Sequence, residues 1–197
     1  MLSGNTDPYQ PAENRFKLTP TILETALTYR NPVSVITKNN LILRDIDLLQ
    51  ELSKRNLVHV TLSITSLKPD LAKTLEPRTS LPRQRLQTVK KLSDNGISCG
   101  VMMAPIIPGL TEEEIPSLLK TAREYGATYA GMVMLRLPYA VKEIFAEWLE
   151  ENYPLKKDKV LNLVRSVRGG KLNDSDFKNR MRGTETYAEH IRQLFKK

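Results

Sequence analysis

The sequence predicts an α/β fold: a partial, open parallel β/α barrel of about five strands followed by a helical C-terminal extension. Three observations predict it. Short apolar runs such as residues 101–104 (VMMA) show no alternation of polar and apolar positions, as expected of strands covered on both faces. These runs alternate along the chain with amphipathic segments, the pattern of parallel strands joined by right-handed helical crossovers. Polar or turn-forming residues gather at the C-terminal ends of the apolar runs, where α/β sheets place their ligands.

Each element has a local reason. Residues 1–3 are the tail of a strand, a stub, and residues 4–8 (GNTDP) form a turn cluster. Thr19-Pro20 reads as an N-cap followed by an N1 proline, and Ile22, Leu23, Ala26 and Leu27 supply the apolar stripe of a helix reaching about residue 29. Residues 33–36 form a short strand ending in Thr37-Lys38-Asn39-Asn40. Residues 45–54 form a helix with Ile46, Leu48, Leu49 and Leu52 inward, and residues 58–66 form the next strand. A short helix at 70–75 and the loop 76–82 precede a helix at 83–95 with Leu86, Val89 and Leu92 on one face. Asn95-Gly96 closes that helix. The strand through 101–104 is expected to stop at Pro105, since Pro105 and Pro108 cannot donate to a ladder and Gly109 permits tight turning. Thr111 with Glu114 reads as a capping box that opens a helix running to Tyr125 and closing at Gly126. Residues 130–135 are the last strand. Beyond Pro138 the chain reads as helices at about 141–151, 157–167 and 174–194, with breaks at Gly169-Gly170 and Gly183.

Four whole strands and one stub are too few for a closed eight-stranded barrel of about 250 residues, so the 197-residue chain is read as an open one. The barrel is assigned to residues 1–139 and the helical extension to residues 140–197. A 40% hydrophobic content suffices for a core, and no apolar run nears the roughly 20 residues of a membrane span. The single cysteine, Cys99, excludes a disulfide within the chain and points to a cytoplasmic address. With only His59 and His190 beside it, Cys99 cannot build a metal site. The net charge of +8 is uneven: residues 156–197 carry 12 lysines and arginines against five acids. Such a basic region points to phosphate or nucleic acid as a partner; the alternative is a solvated helical surface that happens to be basic, since no aromatic interleaving or nucleic-acid motif accompanies the charge.

The strand ends offer cations and hydroxyls: Thr6 and Asp7, Thr37 and Lys38, Ser63 and Thr65, the 105–109 loop and Arg136, with Arg85 on the following helix. These groups suit an anionic or zwitterionic ligand carrying a carboxylate and hydroxyls. No Ser/His/Asp set, carboxylate pair or phosphate-cradling glycine loop accompanies them, so demanding chemistry would have to come from a cofactor.

At several of these stretches the chain resembles the radical S-adenosylmethionine superfamily, nearest the branch related to spore photoproduct lyase and described as DNA repair photolyase-like. The stretches are residues 4–13 (GNTDPYQPAE), 35–44 (VITKNNLILR), 60–66 (VTLSITS), 75–85 (LEPRTSLPRQR), 97–110 (ISCGVMMAPIIPGL), 135–138 (LRLP) and 168–174 (RGGKLND). Each is weak alone; the ordered set is fairly specific. The resemblance implies reductive cleavage of S-adenosylmethionine and hydrogen abstraction from a substrate, with nucleic acid as the substrate class. It implies that Asn5, Thr6 and Asp7 meet the methionine amine, that Lys38 and Arg85 face its carboxylate, that Ser63 and Thr65 meet the ribose, and that Ile107, Gly109 and the backbone near Leu135 flank the adenine.

One departure is large. The family binds a [4Fe–4S] cluster through a CxxxCxxC loop after its first strand, and these residues do not contain it. The chain is therefore expected to be the C-terminal portion of such an enzyme, without the first strand, the cluster loop and the first helix. It would hold no metal itself and be inactive alone. A truncated chain, a start codon placed too late, or cysteines on another polypeptide would each give this result. A sheet lacking its first strand would also leave an edge open to self-association or to a partner. The alternative is a non-catalytic module that binds nucleic acid or protein on a degenerate barrel.

Overall fold

A computed structural model of the chain describes residues 1–2, 6–173, 176 and 179–196. Its elements are α1 (Glu13–Phe16), α2 (Leu18–Thr28), β1 (Val33–Thr37), α3 (Ile46–Ser53), β2 (Val58–Ser63), α4 (Pro69–Leu75), α5 (Pro82–Asp94), β3 (Cys99–Ile106), α6 (Ile115–Glu124), β4 (Tyr129–Met134), α7 (Val141–Asn152), α8 (Lys157–Ser166) and α9 (Glu185–Lys196). The four strands form one parallel sheet in the order β1-β2-β3-β4. Val33 pairs with Val58 and Val60 with Cys99. Sequence order equals spatial order, as short right-handed crossovers dictate. The predicted stub is a single parallel bridge from Leu2 to Val35, in which the Leu2 N–H donates to the Ser34 carbonyl at 2.7 Å. The partial open barrel is thus the observed fold.

The chain divides into two compact units, residues 1–102 with 120–131, and residues 103–119 with 132–197. In the first, Leu23, Val35, Leu49, Leu52, Val60, Leu62, Val89 and Leu92 are fully buried. Each contributes roughly 1.5–3 kcal/mol of hydrophobic stabilisation. Gly100 is required there: a Cβ at this position would collide with the backbone and ring of Tyr129, whose hydroxyl reaches across to donate to the Val60 carbonyl at 2.7 Å. In the second unit, Ile106, Ile107, Leu118, Met134, Leu137, Leu149, Val160, Val164, Val167 and Ile191 are fully buried. Among the described residues no helix is long and apolar enough to cross a membrane.

Five local expectations are corrected. The strand that was to stop at Pro105 runs through it to Ile106, because a proline lacks only its own N–H. The Ile106 carbonyl still accepts from the Leu135 N–H at 2.9 Å. Thr19 does not cap α2. The helix starts at Leu18, and the Glu13 carboxylate caps it instead, accepting from the N–H groups of Leu18 (3.1 Å) and Thr19 (3.0 Å). Thr19 turns its hydroxyl to the Pro8 carbonyl at 2.8 Å. Thr111 does not form a capping box with Glu114, since its hydroxyl is taken by the Ile107 N–H at 2.8 Å and residues 112–114 make a 3-10 turn before α6. The last helix begins at Glu185. Residues 179–182 are turns, and residues 174, 175, 177 and 178 of the expected helix lie outside the described residues. Ile22 also departs from the expected stripe. It is 45% exposed and, with Met1, Leu2 and Tyr29, lines an open 560 Å³ cavity beside β1.

Candidate functional site

The C-terminal end of β1 is where charged side chains converge. The chain leaves β1 at Thr37 and turns through Lys38 and Asn39. The preceding segment is stapled to that turn by Asp7. One Asp7 carboxylate oxygen accepts from the Thr37 hydroxyl (2.7 Å) and the Tyr9 N–H (2.9 Å), and the other accepts from the Lys38 N–H (2.7 Å). The Asn39 amide closes the turn by donating to the Tyr9 carbonyl at 2.8 Å. Beside this staple lies a cavity of 180 Å³ lined by Asp7, Tyr9, Gln10, Lys38, Arg78 and Thr79 among others.

Glu76, in the loop after α4, organises the cations. Its Oε1 meets the Lys38 Nζ at 2.6 Å and accepts from the Thr65 hydroxyl at 3.1 Å, and its Oε2 takes the Arg85 Nη2 at 2.6 Å. Burial by itself would raise the Glu76 pKa. The charges of Arg85 and Lys38 and their hydrogen bonds outweigh it and hold the carboxyl below its ordinary range. Arg85, 1% exposed, donates from Nε to the Ser80 carbonyl (2.6 Å) and from Nη1 to the Ser63 carbonyl (2.7 Å), and its Nη2 also meets the Thr79 hydroxyl. The guanidinium thus ties the end of β2 to the 76–80 loop. Lys38 keeps about a third of its side chain exposed, so its ammonium faces both Glu76 and solvent.

A second buried network supports the first. The Tyr9 hydroxyl donates to Asp45 Oδ2 at 3.0 Å, and Arg44 bridges Asp45 (2.7 Å) and Glu13 (3.0 Å). Burial first, then the adjacent Asp45 charge, pushes the Tyr9 phenol well above its ordinary range, so it stays a donor.

The structure brings Asp7, Lys38, Ser63, Thr65 and Arg85 together in the first unit, with Glu76 as the hub for Lys38, Thr65 and Arg85 and with Ser63 joined through the Arg85 guanidinium. Thr6 lies on the surface, and Asn5 lies outside the described residues. The remaining predicted residues belong to the second unit. Ile107 is fully buried. Gly109 adopts φ +83°, with its N–H donating to Glu112 Oε1 at 2.7 Å, and the same oxygen accepts from the Tyr187 hydroxyl at 2.7 Å. Leu135 gives its carbonyl to Arg168 Nη2 at 2.6 Å. Sequence reasoning missed Glu76, Tyr9, Asn39 and Arg78. No local sequence signal singles out Glu76.

Chemically the β1 end can hold a ligand that carries both a carboxylate and an ammonium group: Lys38 supplies a reachable cation, and Arg78 stands exposed at the rim. It offers no nucleophile beside a base. His59 and His190 are both exposed. Among the described residues no three His, Cys, Asp or Glu side chains gather closely enough to hold a metal. Cys99 is fully buried with its Sγ against the Val89 carbonyl at 3.5 Å, and burial pushes its thiol up to about 11. These residues do not fit an iron–sulfur cluster.

Comparison with known proteins supplies a lineage for this geometry. Residues 1–122 match the family model described as the Radical SAM superfamily. The chain is 34% identical over 155 residues to the uncharacterized protein Rv2578c of Mycobacterium tuberculosis, an alignment covering 78% of this chain and 46% of that protein. It is 34% identical over 153 residues to the uncharacterized protein MJ0683 of Methanocaldococcus jannaschii, covering 78% and 56%. It is 30% identical over 159 residues to the uncharacterized protein ORF301 of Acidianus two-tailed virus, covering 77% and 46%. The chain spans about half the length of the curated relatives it matches.

Proposed function

The chain belongs to the radical SAM superfamily, and from that membership we propose that the C-terminal end of β1 holds the amino-acid end of S-adenosylmethionine. The observation that supports this most directly is Lys38. It is a part-exposed ammonium fixed by Glu76 beside the Asp7 staple, at the wall of a 180 Å³ cavity. A cavity of that size suits a zwitterionic amino-acid moiety. Lys38 would take its carboxylate, and Asp7 and Tyr9 would bound the ammonium side. Glu76 and Arg85 would set the height of the Lys38 ammonium rather than touch the ligand, because both are spent on one another and on Ser63, Thr65 and Ser80. In this family bound S-adenosylmethionine supplies a radical that abstracts hydrogen from the substrate. The iron–sulfur cluster would be held by cysteines that are not among these 197 residues, consistent with the single buried Cys99. The ordered motifs favour the branch related to spore photoproduct lyase, and the lone cysteine favours a cytoplasmic setting.

The test is calorimetric titration with S-adenosylhomocysteine, which keeps both charged groups. Wild type is expected to bind. K38Q is expected to weaken binding about tenfold, the worth of one charge-assisted hydrogen bond, while still unfolding in a single cooperative transition. Equal affinities, or no binding by wild type, would overturn the assignment.

A second reading, a nucleic-acid-binding role, is favoured by the charge of residues 156–197, 12 basic residues against five acids. In the superfamily setting it makes nucleic acid the substrate class; without chemistry it makes the chain a binding module.

A further inference from the structure

We propose that the C-terminal end of β4 carries an oxyanion subsite whose contacting residue is Arg136 and whose ligand is a phosphate group. This deepens the proposed function, resting on its reading of the strand ends as ligand-binding, and names the chemistry the substrate presents.

Several arginines of this protein are ion-paired. Arg44 is paired with Glu13 and Asp45, Arg85 with Glu76, and Arg192 with Glu189. Their charges are neutralised and they bind the fold together. Arg136 is different. Among the described residues no carboxylate lies within ion-pair distance of it. Its Nε is buried and makes no hydrogen bond, and its Nη1 reaches only the Met181 sulfur at 3.9 Å, a weak acceptor. A buried guanidinium N–H without an acceptor is costly to keep, and a buried polar group left unsatisfied calls for a partner.

The backbone around Arg136 is held as a rigid mount. Arg168 donates to the carbonyls of Met134 (3.2 Å) and Leu135 (2.6 Å), and also to the Arg180 carbonyl (2.8 Å). The Met134 N–H donates to the Met181 carbonyl at 2.9 Å. The segment carrying Met181 is thereby tied beside Arg136, and Arg180 and Arg182 flank Met181 in sequence. A planar guanidinium matches a carboxylate or a phosphate equally well in shape. The surrounding charge decides between them. The 156–197 segment that supplies Met181 carries a net +7, an excess that suits a ligand bearing charge at every repeat rather than one carboxylate.

The test uses the full chain and a fluorescein-labelled single-stranded DNA 12-mer, read by anisotropy, with inorganic phosphate and a nucleoside monophosphate as competitors. Wild type is expected to bind the 12-mer, and R136Q to bind it about tenfold more weakly with an unchanged melting temperature. R136K, which restores charge without the fork, is expected to fall between them. The slope of log affinity against log salt should flatten by about 0.7 in R136Q, the worth of one single-strand phosphate contact. Competition by the monophosphate alone marks a nucleotide as the source of the phosphate; competition only by longer strands marks a polymer. Both support the subsite. If R136Q does not fold, protection of Arg136 from phenylglyoxal by phosphate in wild type, read by peptide mass, serves instead. Equal affinity of R136Q and wild type, absent protection, or no binding of 12-mer, nucleotide or phosphate by wild type would each overturn it. The S-adenosylhomocysteine titration separates the two assignments: R136Q should leave it unchanged, while K38Q should weaken it.

Discussion

Glu76 shows how much one buried carboxylate decides. It neutralises Arg85, which is fully enclosed, and Lys38, which is not. Removing one partner of a buried pair leaves an uncompensated charge, so E76Q is expected to cost about 3 kcal/mol at neutral pH, measured by urea unfolding. The pH dependence has a definite sign. The folded-state pKa of Glu76 lies below its unfolded value, so the stabilisation is fully present above the usual carboxylate range, near pH 4.3. It is lost as the pH falls through the lower folded value. The gap between wild type and E76Q should therefore be widest at pH 7 and close in acid; a gap independent of pH would show that the carboxylate charge is not what matters. Part of this site was legible in the sequence. Lys38, Ser63, Thr65 and Arg85 could be chosen because each is a polar group at or after the end of an apolar run. Glu76 could not. It lies 38 residues from Lys38 in the chain, and only the β1-β2 crossover brings them together. The Thr111 hydroxyl was misread for a related reason: a local pattern offered a capping box, while the loop before it offered an unpaired Ile107 N–H closer at hand.

At the scale of elements the strands are read from composition and the helices from periodicity, and the strand signal is strongest where both faces are covered, in β2 and the first half of β3, while β4 is largely exposed or half-buried. The ends of elements are weaker signals. The start of α2 is the clearest case. Thr19-Pro20 has the local chemistry of a helix start, yet the cap comes from Glu13, five residues before Leu18 in the chain, folded back by α1. Two substitutions distinguish the two caps. Glu13→Ala removes the acceptor of two helix N–H groups and a partner of Arg44, and is expected to cost about 2 kcal/mol or more. Thr19→Val removes a single hydroxyl bond to the Pro8 carbonyl and is expected to cost about 1 kcal/mol. Chemical denaturation of both variants checks the order; the reverse order would return the cap to Thr19.

For the whole molecule the governing quantity is charge rather than shape. A net +8 on 197 residues, concentrated in residues 156–197, creates a positive field that needs no sequence-specific contact to attract a polyanion. Two contributions to binding must then be distinguished: a diffuse one from exposed lysines and arginines, and a local one at Arg136. Lys156, Lys159, Lys171 and Arg182 are all exposed, so replacing the four with glutamine disturbs no buried side chain. If the field carries the encounter, the quadruple variant should bind a DNA duplex more weakly at 50 mM salt and converge with wild type as salt rises. Each phosphate contact it has lost should lower the salt slope by about 0.9. Because screening shortens the reach of exposed charges to about 8 Å at 0.15 M salt, a direct contact at the part-buried Arg136 guanidinium should survive conditions that weaken the diffuse component. The quadruple variant is therefore expected to keep its sensitivity to R136Q at high salt, measured by anisotropy in a double-mutant cycle. A quadruple variant whose binding matches wild type at every salt concentration would remove the basic region from the interaction and leave nucleic acid without support from charge.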